Sequence, residues 1–267
     1  MTWGQKLAGS IPENYERYFA PVLFEPYAKE LARRIPRGAA HVLEIAAGTG
    51  RLTRRLLENL PARTELVVTD LQPGMLDEAA LHIHDSRARF QQADMLELPF
   101  LDGTFDAAFC QFGLMFFPDK AASIRESFRV LKPGGHYLFS VWDTLSKNPA
   151  ARIAHETAGR FFPADPPLFY SVPYSLHDPA PVRKMLAEAG FGQIEVTSLE
   201  KSGASPSAAD AATGLIEGNP ILGAIMARRP EALDDIKRAT AAAVAAELGD
   251  PPARIPLHAI VLSARRP

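Results

Sequence analysis

The sequence predicts an α/β protein in which helices cover both faces of a doubly wound, mostly parallel sheet. Three observations carry that expectation. Short apolar runs alternate with helical segments from His41 to Trp142, the pattern of successive βαβ units. The first run empties into a loop of small residues, Ala46-Ala47-Gly48-Thr49-Gly50, and then into a helix. Acidic residues, Asp70 and Asp94, stand at the ends of the next two runs. Right-handed crossovers leave few topologies for such a chain.

The elements follow in order. Pro12 to Arg34 reads as helical, with Pro21 and Pro26 breaking it into pieces. His41 to Ala46 is a strand bounded by Gly38 and Gly48. Arg51 to Leu60 is a helix with apolar Leu52, Leu56, Leu57 and Leu60. Glu65 to Thr69 is a second strand, ending at Asp70, and Pro73 to His84 a second helix with proline at a permitted first-turn position. Arg87 to Gln92 and Phe105 to Gln111 are further strands. Asp119 to Leu131 is a helix, stopped by a tight turn at Lys132-Pro133-Gly134-Gly135 before the strand His136 to Trp142.

The pattern then changes. Asn148 to Pro181 is rich in proline and aromatic residues and shows no clear period. Val182 to Ala189 is a helix closed by Gly190, and Gln193 to Leu199 a strand. Ser205 to Leu248 is alanine-rich and helical, cut at Gly218-Asn219-Pro220 and at Pro230, and Leu257 to Ala264 is the last strand. The final two strands are expected to join the same sheet, with the helical stretch between them inserted as a cap over the binding face.

Composition narrows the functional classes. Lys and Arg number 29 against 31 Asp and Glu, giving a formal charge of −2. No basic surplus points to nucleic acid, and no Lys/Arg run to a membrane surface. Cys110 is the single cysteine, so neither an internal disulfide nor a cysteine zinc cage can form, and no metal site is expected. Met1 to Asn14 has no apolar core of a secretory signal. No apolar run approaches the roughly 20 residues of a membrane helix. A cytoplasmic setting is the expectation.

The loop at 46–50 lies where open α/β sheets bind ligands, at the carboxyl end of the first strand. Small residues let a ligand approach the backbone, and the helix start offers free N–H groups. A dinucleotide would want a third glycine where Thr53 stands. Glu44 before the loop suits instead a ligand carrying ammonium and sulfonium groups. Asp70 can accept hydrogen bonds from two ribose hydroxyls. Asp94 can take an adenine amino group while Met95 packs on the ring. S-adenosylmethionine is such a ligand, and Gln111 and Phe112 end the fourth strand beneath its methionyl part.

These segments resemble the class I S-adenosylmethionine-dependent methyltransferases, in particular the group of ubiquinone/menaquinone C-methyltransferases and their small-molecule relatives. The matching stretches are Val42–Gly50, Val67–Leu76, Gln92–Pro99, Gly103–Phe117 and Arg129–Trp142, about the middle third of the chain. The resemblance implies a Rossmann-like seven-stranded sheet with its last strand antiparallel. It implies S-adenosylmethionine as cofactor and methyl transfer to a small molecule. By the family pattern Glu44, Gly48 and Gly50 line the methionyl part, Asp70 and Leu71 hold the ribose, Asp94 and Met95 the adenine, and Gln111 faces the methionyl end. Ala46, Thr49, Met75 and Phe112 complete the expected cofactor set. Ala46 stands where the family's first loop glycine is usual, and a slightly tighter loop is expected. The chain then reads as one domain: a helical segment at 1–36, a cofactor-binding core at 37–145, and substrate-side insertions at 146–180 and 203–252.

Catalytic groups are less defined. Cys110 sits in an apolar strand and reads as inert core. His82 and His84 read as solvated and His136 as structural. His155 and His177, in the substrate-side region, are the candidate general bases. Tyr15, Tyr18, Phe19, Phe161, Phe162, Phe169 and Tyr170 read first as packing, with some of them lining an apolar pocket. The expected acceptor is an apolar or aromatic small molecule, methylated at carbon or oxygen. Two other readings stay open on sequence alone: a non-catalytic cofactor-binding protein of the same fold, and a nicotinamide-dependent oxidoreductase. The acceptor's identity, the methylated atom and the oligomeric state are not encoded in any motif.

Overall fold

The computed structural model describes residues 11–267, so the part of the N-terminal segment at 1–10 lies outside the described residues. Chain order gives α1 (Ile11–Asn14), a π-helical turn (Tyr15–Phe19), α2 (Ala20–Leu23), α3 (Glu25–Ala32), β1 (His41–Ile45), α4 (Arg51–Asn59), β2 (Glu65–Asp70), α5 (Pro73–His82), β3 (Ala88–Gln92) and β4 (Phe105–Gln111). There follow α6 (Lys120–Val130), β5 (Leu131–Trp142), α7 (Pro149–Phe161), α8 (Pro179–Glu188), β6 (Gly192–Ser205), α9 (Ala208–Glu217), α10 (Ile221–Arg228), α11 (Leu233–Leu248) and β7 (Ala253–Arg265).

The seven strands form one sheet in the order β3-β2-β1-β4-β5-β7-β6. β1 to β5 pair in parallel, and β7 runs antiparallel to both β5 and β6. This is the doubly wound, mostly parallel architecture expected, with the last strand reversed. The order reverses beside β1, so β1 and β4 open a crevice at their carboxyl ends. β1 is buried along Val42 to Ile45, as the middle strand of a sheet covered on both faces must be.

The N-terminal segment breaks where its prolines predict. Pro21 and Pro26 each occupy the first turn of a helix, where their missing N–H costs least. The Ala20 N–H bonds back to the Tyr15 carbonyl, five residues away, so the turn upstream of Pro21 widens into a π-turn. Gly203 on β6 lets this segment seat: a Cβ there would stand 2.1 Å from the Val22 carbonyl oxygen. A Cβ on Gly214 of α9 would meet the Tyr18 backbone at 2.8 Å. The segment is thus wedged between the sheet and the inserted helices.

Five elements depart from the sequence expectation. α7 occupies part of the stretch read as lacking a period. Its buried face is Ala150, Ala151, Ile153, Ala154, Thr157 and Ala158, and alanines make a helical stripe too faint to stand out beside the surrounding prolines. α5 stops at His82, because Ile83 turns extended and buries its side chain. β5 begins at Leu131, opposite Phe105, and carries the Lys132–Gly135 turn as an irregular bulge before its register resumes at His136. β6 and β7 are longer than expected, pairing from Glu195↔Ser263 out to Ser205↔Ala253.

Gly50 is the residue that turns the chain into α4, at φ +77°. An added Cβ would lie 2.5 Å from Ile83 Cδ1 and 3.2 Å from Ala79 Cβ. Gly50→Ala should therefore cost about 1–3 kcal/mol through backbone strain and overpacking. Thermal unfolding measures this, and an unchanged midpoint would rule the packing argument out.

Candidate active site

A cavity of about 470 Å³ opens at the carboxyl ends of the central strands, within the size range of small-molecule sites. β1 and its loop contribute Glu44, Ala46, Gly48 and Thr49. β2 contributes Asp70 and Leu71, with Met75 from α5. Asp94 and Met95 follow β3, and Gln111 and Phe112 close β4. Eleven of the twelve residues expected around a cofactor therefore line one cavity. Gly50 does not line it; its role is the packing against Ile83 described above.

The loop is held from beneath. Asp70 Oδ2 accepts from the Gly48 N–H at 2.8 Å and Oδ1 from the Gln72 N–H at 2.9 Å. Burial raises the Asp70 carboxyl above the ordinary carboxylate range, against the opposing pull of these backbone donors. Glu44 is 1% exposed, and its Oε2 accepts from Thr53 Oγ1 at 2.6 Å. Desolvation pushes its carboxyl up to about 8, with the Asp70 charge adding to the rise and the Thr53 bond opposing it. Thr53 thus fills the place of a dinucleotide site's third glycine with a side chain already committed to Glu44, which disfavours pyrophosphate there.

Backbone strain gathers at the same strand ends. Ala46 and Phe112 both adopt positive φ, +54° and +53°, a conformation that disfavours side chains. The Ala46 methyl is accommodated because residue 113 is glycine; a Cβ on Gly113 would come within 2.8 Å of it. The expected tight loop is thus a left-handed alanine packed on a glycine. Phe112 is held by stacking on Trp142, with centroids 4.0 Å apart and planes 10° from parallel, and by an edge contact with Tyr27 at 5.4 Å. Such strain collects at ligand sites, where surrounding packing holds it in place.

The remaining walls are aromatic. The N-terminal segment supplies Tyr15, Phe19, Leu23 and Phe24; β5 supplies Trp142; the loop after α7 supplies Phe169, Tyr170 and Tyr174; and the turn before α10 supplies Gly218 to Pro220. Of the aromatic residues singled out in the sequence, Tyr15, Phe19, Phe169 and Tyr170 line the cavity, whereas Tyr18, Phe161 and Phe162 do not. A Cβ built on Gly48 would lie 3.8 Å from the Tyr15 hydroxyl, so the π-turn leans over the loop. Burial raises the Tyr15, Tyr170 and Tyr174 hydroxyls, which stay protonated at neutral pH.

Neither candidate base reaches the cavity. His155 is half-buried on α7, with Nδ1 buried and unpaired. His177 is exposed, with Nδ1 donating to the Tyr174 carbonyl at 2.9 Å. Both lie on the segment that lines the cavity, but their side chains face other surroundings. Cys110 is fully buried and its thiol is pushed up to about 12 by desolvation, so it is no nucleophile. Among the described residues no group of His, Cys, Asp and Glu is arranged to hold a metal ion.

Two buried polar atoms in this lining lack partners. Gln111 Nε2 donates to the Phe24 carbonyl at 2.8 Å, which leaves Oε1 buried and unpaired. Arg51 Nε is also buried and unpaired. The sequence reading missed Arg51, though a signal was present: a cation in the first turn of a helix opposes the macrodipole and asks for an anion. An orphan acceptor and an orphan donor, beside three acids and an aromatic box, fit a zwitterionic, cationic, purine-bearing molecule.

Comparison with known proteins agrees with this geometry. The sequence profile of the methyltransferase domain family matches residues 42–135. The ubiquinone/menaquinone biosynthesis C-methyltransferase of Proteus mirabilis is 31% identical over 172 residues, covering 59% of this chain and 68% of that protein. Among solved structures, phosphoethanolamine N-methyltransferase 2 of Haemonchus contortus in complex with S-adenosyl-L-methionine superposes with a TM-score of 0.61 at 19% identity, over 96% of this chain and 56% of that one. The YcgJ protein of Bacillus subtilis gives a TM-score of 0.57 at 17% identity, over 90% and 98%. Fold and cavity define an S-adenosylmethionine-dependent methyltransferase. The chain belongs to the class I family of these enzymes, in the group that contains the ubiquinone/menaquinone C-methyltransferases, and it transfers the methyl group of S-adenosylmethionine to a small molecule.

Proposed function

We propose that the acceptor is an apolar, hydroxylated aromatic ring, methylated at carbon or oxygen. The observation that carries this reading is the cavity's aromatic wall around the Phe112–Trp142 stack, with no histidine among the described lining residues. Such a wall favours a flat apolar ring. It also bears on the proton: the tyrosines lining it stay neutral, so none of them is poised to deprotonate a weakly acidic acceptor. A phenol or enol needs least help, because its own oxygen makes ring or oxygen nucleophilic. The name of the Proteus mirabilis relative, a C-methyltransferase acting in quinone biosynthesis, supports the same class.

The cofactor supplies a methyl group on a sulfonium centre, which leaves as a neutral thioether. This chain's residues hold and exclude. In this reading Gly48 and Thr49 present the loop backbone to the amino-acid end, with Ala46 and Gln111 beside it. Asp70 and Leu71 take the ribose, while Asp94, Met95 and Met75 enclose the adenine. Phe24, Phe112 and Trp142 keep water from the reacting face, where a dry site favours transfer of a charge that is being neutralised. Residues 37–145 act as the cofactor core. The insertions at 146–180 and 203–252 bring Phe169 to Tyr174 and Gly218 to Pro220 over it as the acceptor's cover.

The formal charge of −2 supports a small molecule over nucleic acid, and a cytoplasmic enzyme is the accompanying proposal. No helix among the described residues is long and apolar enough to cross a membrane. The test is calorimetric titration with S-adenosylmethionine and S-adenosylhomocysteine, followed by labelled methyl transfer to hydroxylated aromatic compounds, RNA and protein. Micromolar binding and transfer to the aromatic compounds are expected. Transfer to RNA or protein alone would overturn the acceptor assignment.

A further inference from the structure

We infer that Arg51 binds the carboxylate of the cofactor's amino-acid end, and that Glu16 and Glu25 hold it in position for that task. The inference rests on the cofactor assignment above and deepens it. Arg51 is the first residue of α4, directly after the loop. Its side chain is 17% exposed and lines the cavity. A guanidinium there opposes the helix dipole and loses hydration, a placement that an incoming anion would relieve.

Its present partners do not use it up. Arg51 Nη2 donates to Glu16 Oε1 at 2.5 Å, while Nη1 stands 3.5 Å from Glu25 Oε2, beyond a good hydrogen bond. Nε is buried without a partner. Both glutamates are served by other arginines, Arg54 to Glu16 at 2.9 Å and Arg55 to Glu25 at 2.6 Å. Arg55 also meets the exposed Glu58. Arg51 is therefore fixed in place while keeping a donor for a ligand. Glu16 further accepts from Thr49 Oγ1 at 2.7 Å, so one N-terminal carboxylate orients both the loop and its arginine. Gln111 Oε1, acceptor-only and unpaired across the same cavity, complements the ammonium of the same amino-acid end. A zwitterion is thus met by an orphan donor and an orphan acceptor.

The test compares S-adenosylmethionine with its decarboxylated analogue, which keeps the sulfonium, the amine and the nucleoside and lacks only the carboxylate. Calorimetry on the wild type should show a clear preference for the intact cofactor. Arg51→Gln should weaken the intact cofactor about 10- to 100-fold and the decarboxylated analogue less than about 3-fold, so that the preference collapses. Arg51→Lys keeps the charge without the Nε–H and should lose part of the preference while remaining folded. Lys184→Gln removes a positive charge from an exposed ion pair on α8 away from the cavity and should leave the preference intact. Equal weakening of both ligands by Arg51→Gln or Arg51→Lys, or a wild type that binds the two alike, would overturn this inference alone. A wild type that binds neither would overturn the cofactor assignment with it.

Discussion

Asp70→Ala should lower affinity for S-adenosylhomocysteine more than tenfold and also destabilise the ligand-free protein by about 2–4 kcal/mol. The two effects share one cause. Asp70 is half-buried at the carboxyl end of β2, and its two oxygens accept from Gly48 and Gln72. Alanine leaves both N–H groups without a partner. It frees the loop at Gly48 from the second strand, and it removes the carboxylate proposed to receive the ribose. Asp70→Asn separates these roles. The amide keeps one acceptor oxygen but turns a donor toward one of the two N–H groups, so stability falls by less while the proposed ribose contact is still impaired. Thermal unfolding of the ligand-free variants and calorimetry with S-adenosylhomocysteine measure the pair. A ligand affinity unchanged in Asp70→Ala would remove Asp70 from the cofactor site, whatever happened to the unfolding temperature.

Much of this site was legible because its signals are local. The run Val42 to Ile45, the small-residue loop and the acid closing β2 lie within thirty residues of one another, and each acts through its own backbone position. The neighbouring strands follow from the βαβ alternation, which fixes register through short connections. The parts that stayed hidden depend on contacts between distant segments. Tyr15 and Phe24 become walls only because Gly203 and Gly214 allow the N-terminal chain to seat closely. Trp142 becomes a site residue only by stacking on a left-handed Phe112. His155 and His177 lie on the stretch that supplies Phe169 to Tyr174 but do not line the cavity, and a segment without a visible period does not reveal which side chains turn inward. Gly50 shows the reverse case. Its spacing matched a ligand loop, and its physical constraint is the side chain of Ile83 behind it.

The carboxyl of Glu44 gives the second large effect, and its sign is opposite to that of a salt-bridged acid. In the unfolded chain it titrates near its ordinary value of 4.5; folded, burial holds it near 8. Between those values the folded protein keeps a proton that the unfolded chain has released. Its contribution is therefore fully present below about pH 4.5 and is lost as pH rises to about 8. At about 1.4 kcal/mol per pH unit the ceiling is about 5 kcal/mol. Glu44→Gln keeps an acceptor for Thr53 Oγ1 and removes the titration. The variant's stability advantage over wild type should grow from pH 5 to pH 8, as read by denaturant unfolding at each pH. Ligand binding should report the same group. A sulfonium and an ammonium arriving near Glu44 favour its ionised form, so wild-type binding of S-adenosylmethionine near pH 7 should release a fraction of a proton. Calorimetry in buffers of different ionisation enthalpy detects this. S-adenosylhomocysteine, lacking the sulfonium charge, should release less, and Glu44→Gln should release none from this position. Parallel stability curves for wild type and Glu44→Gln across that range would mean that Glu44 is ionised throughout, and that its charge is met in the fold by something other than the Thr53 hydroxyl.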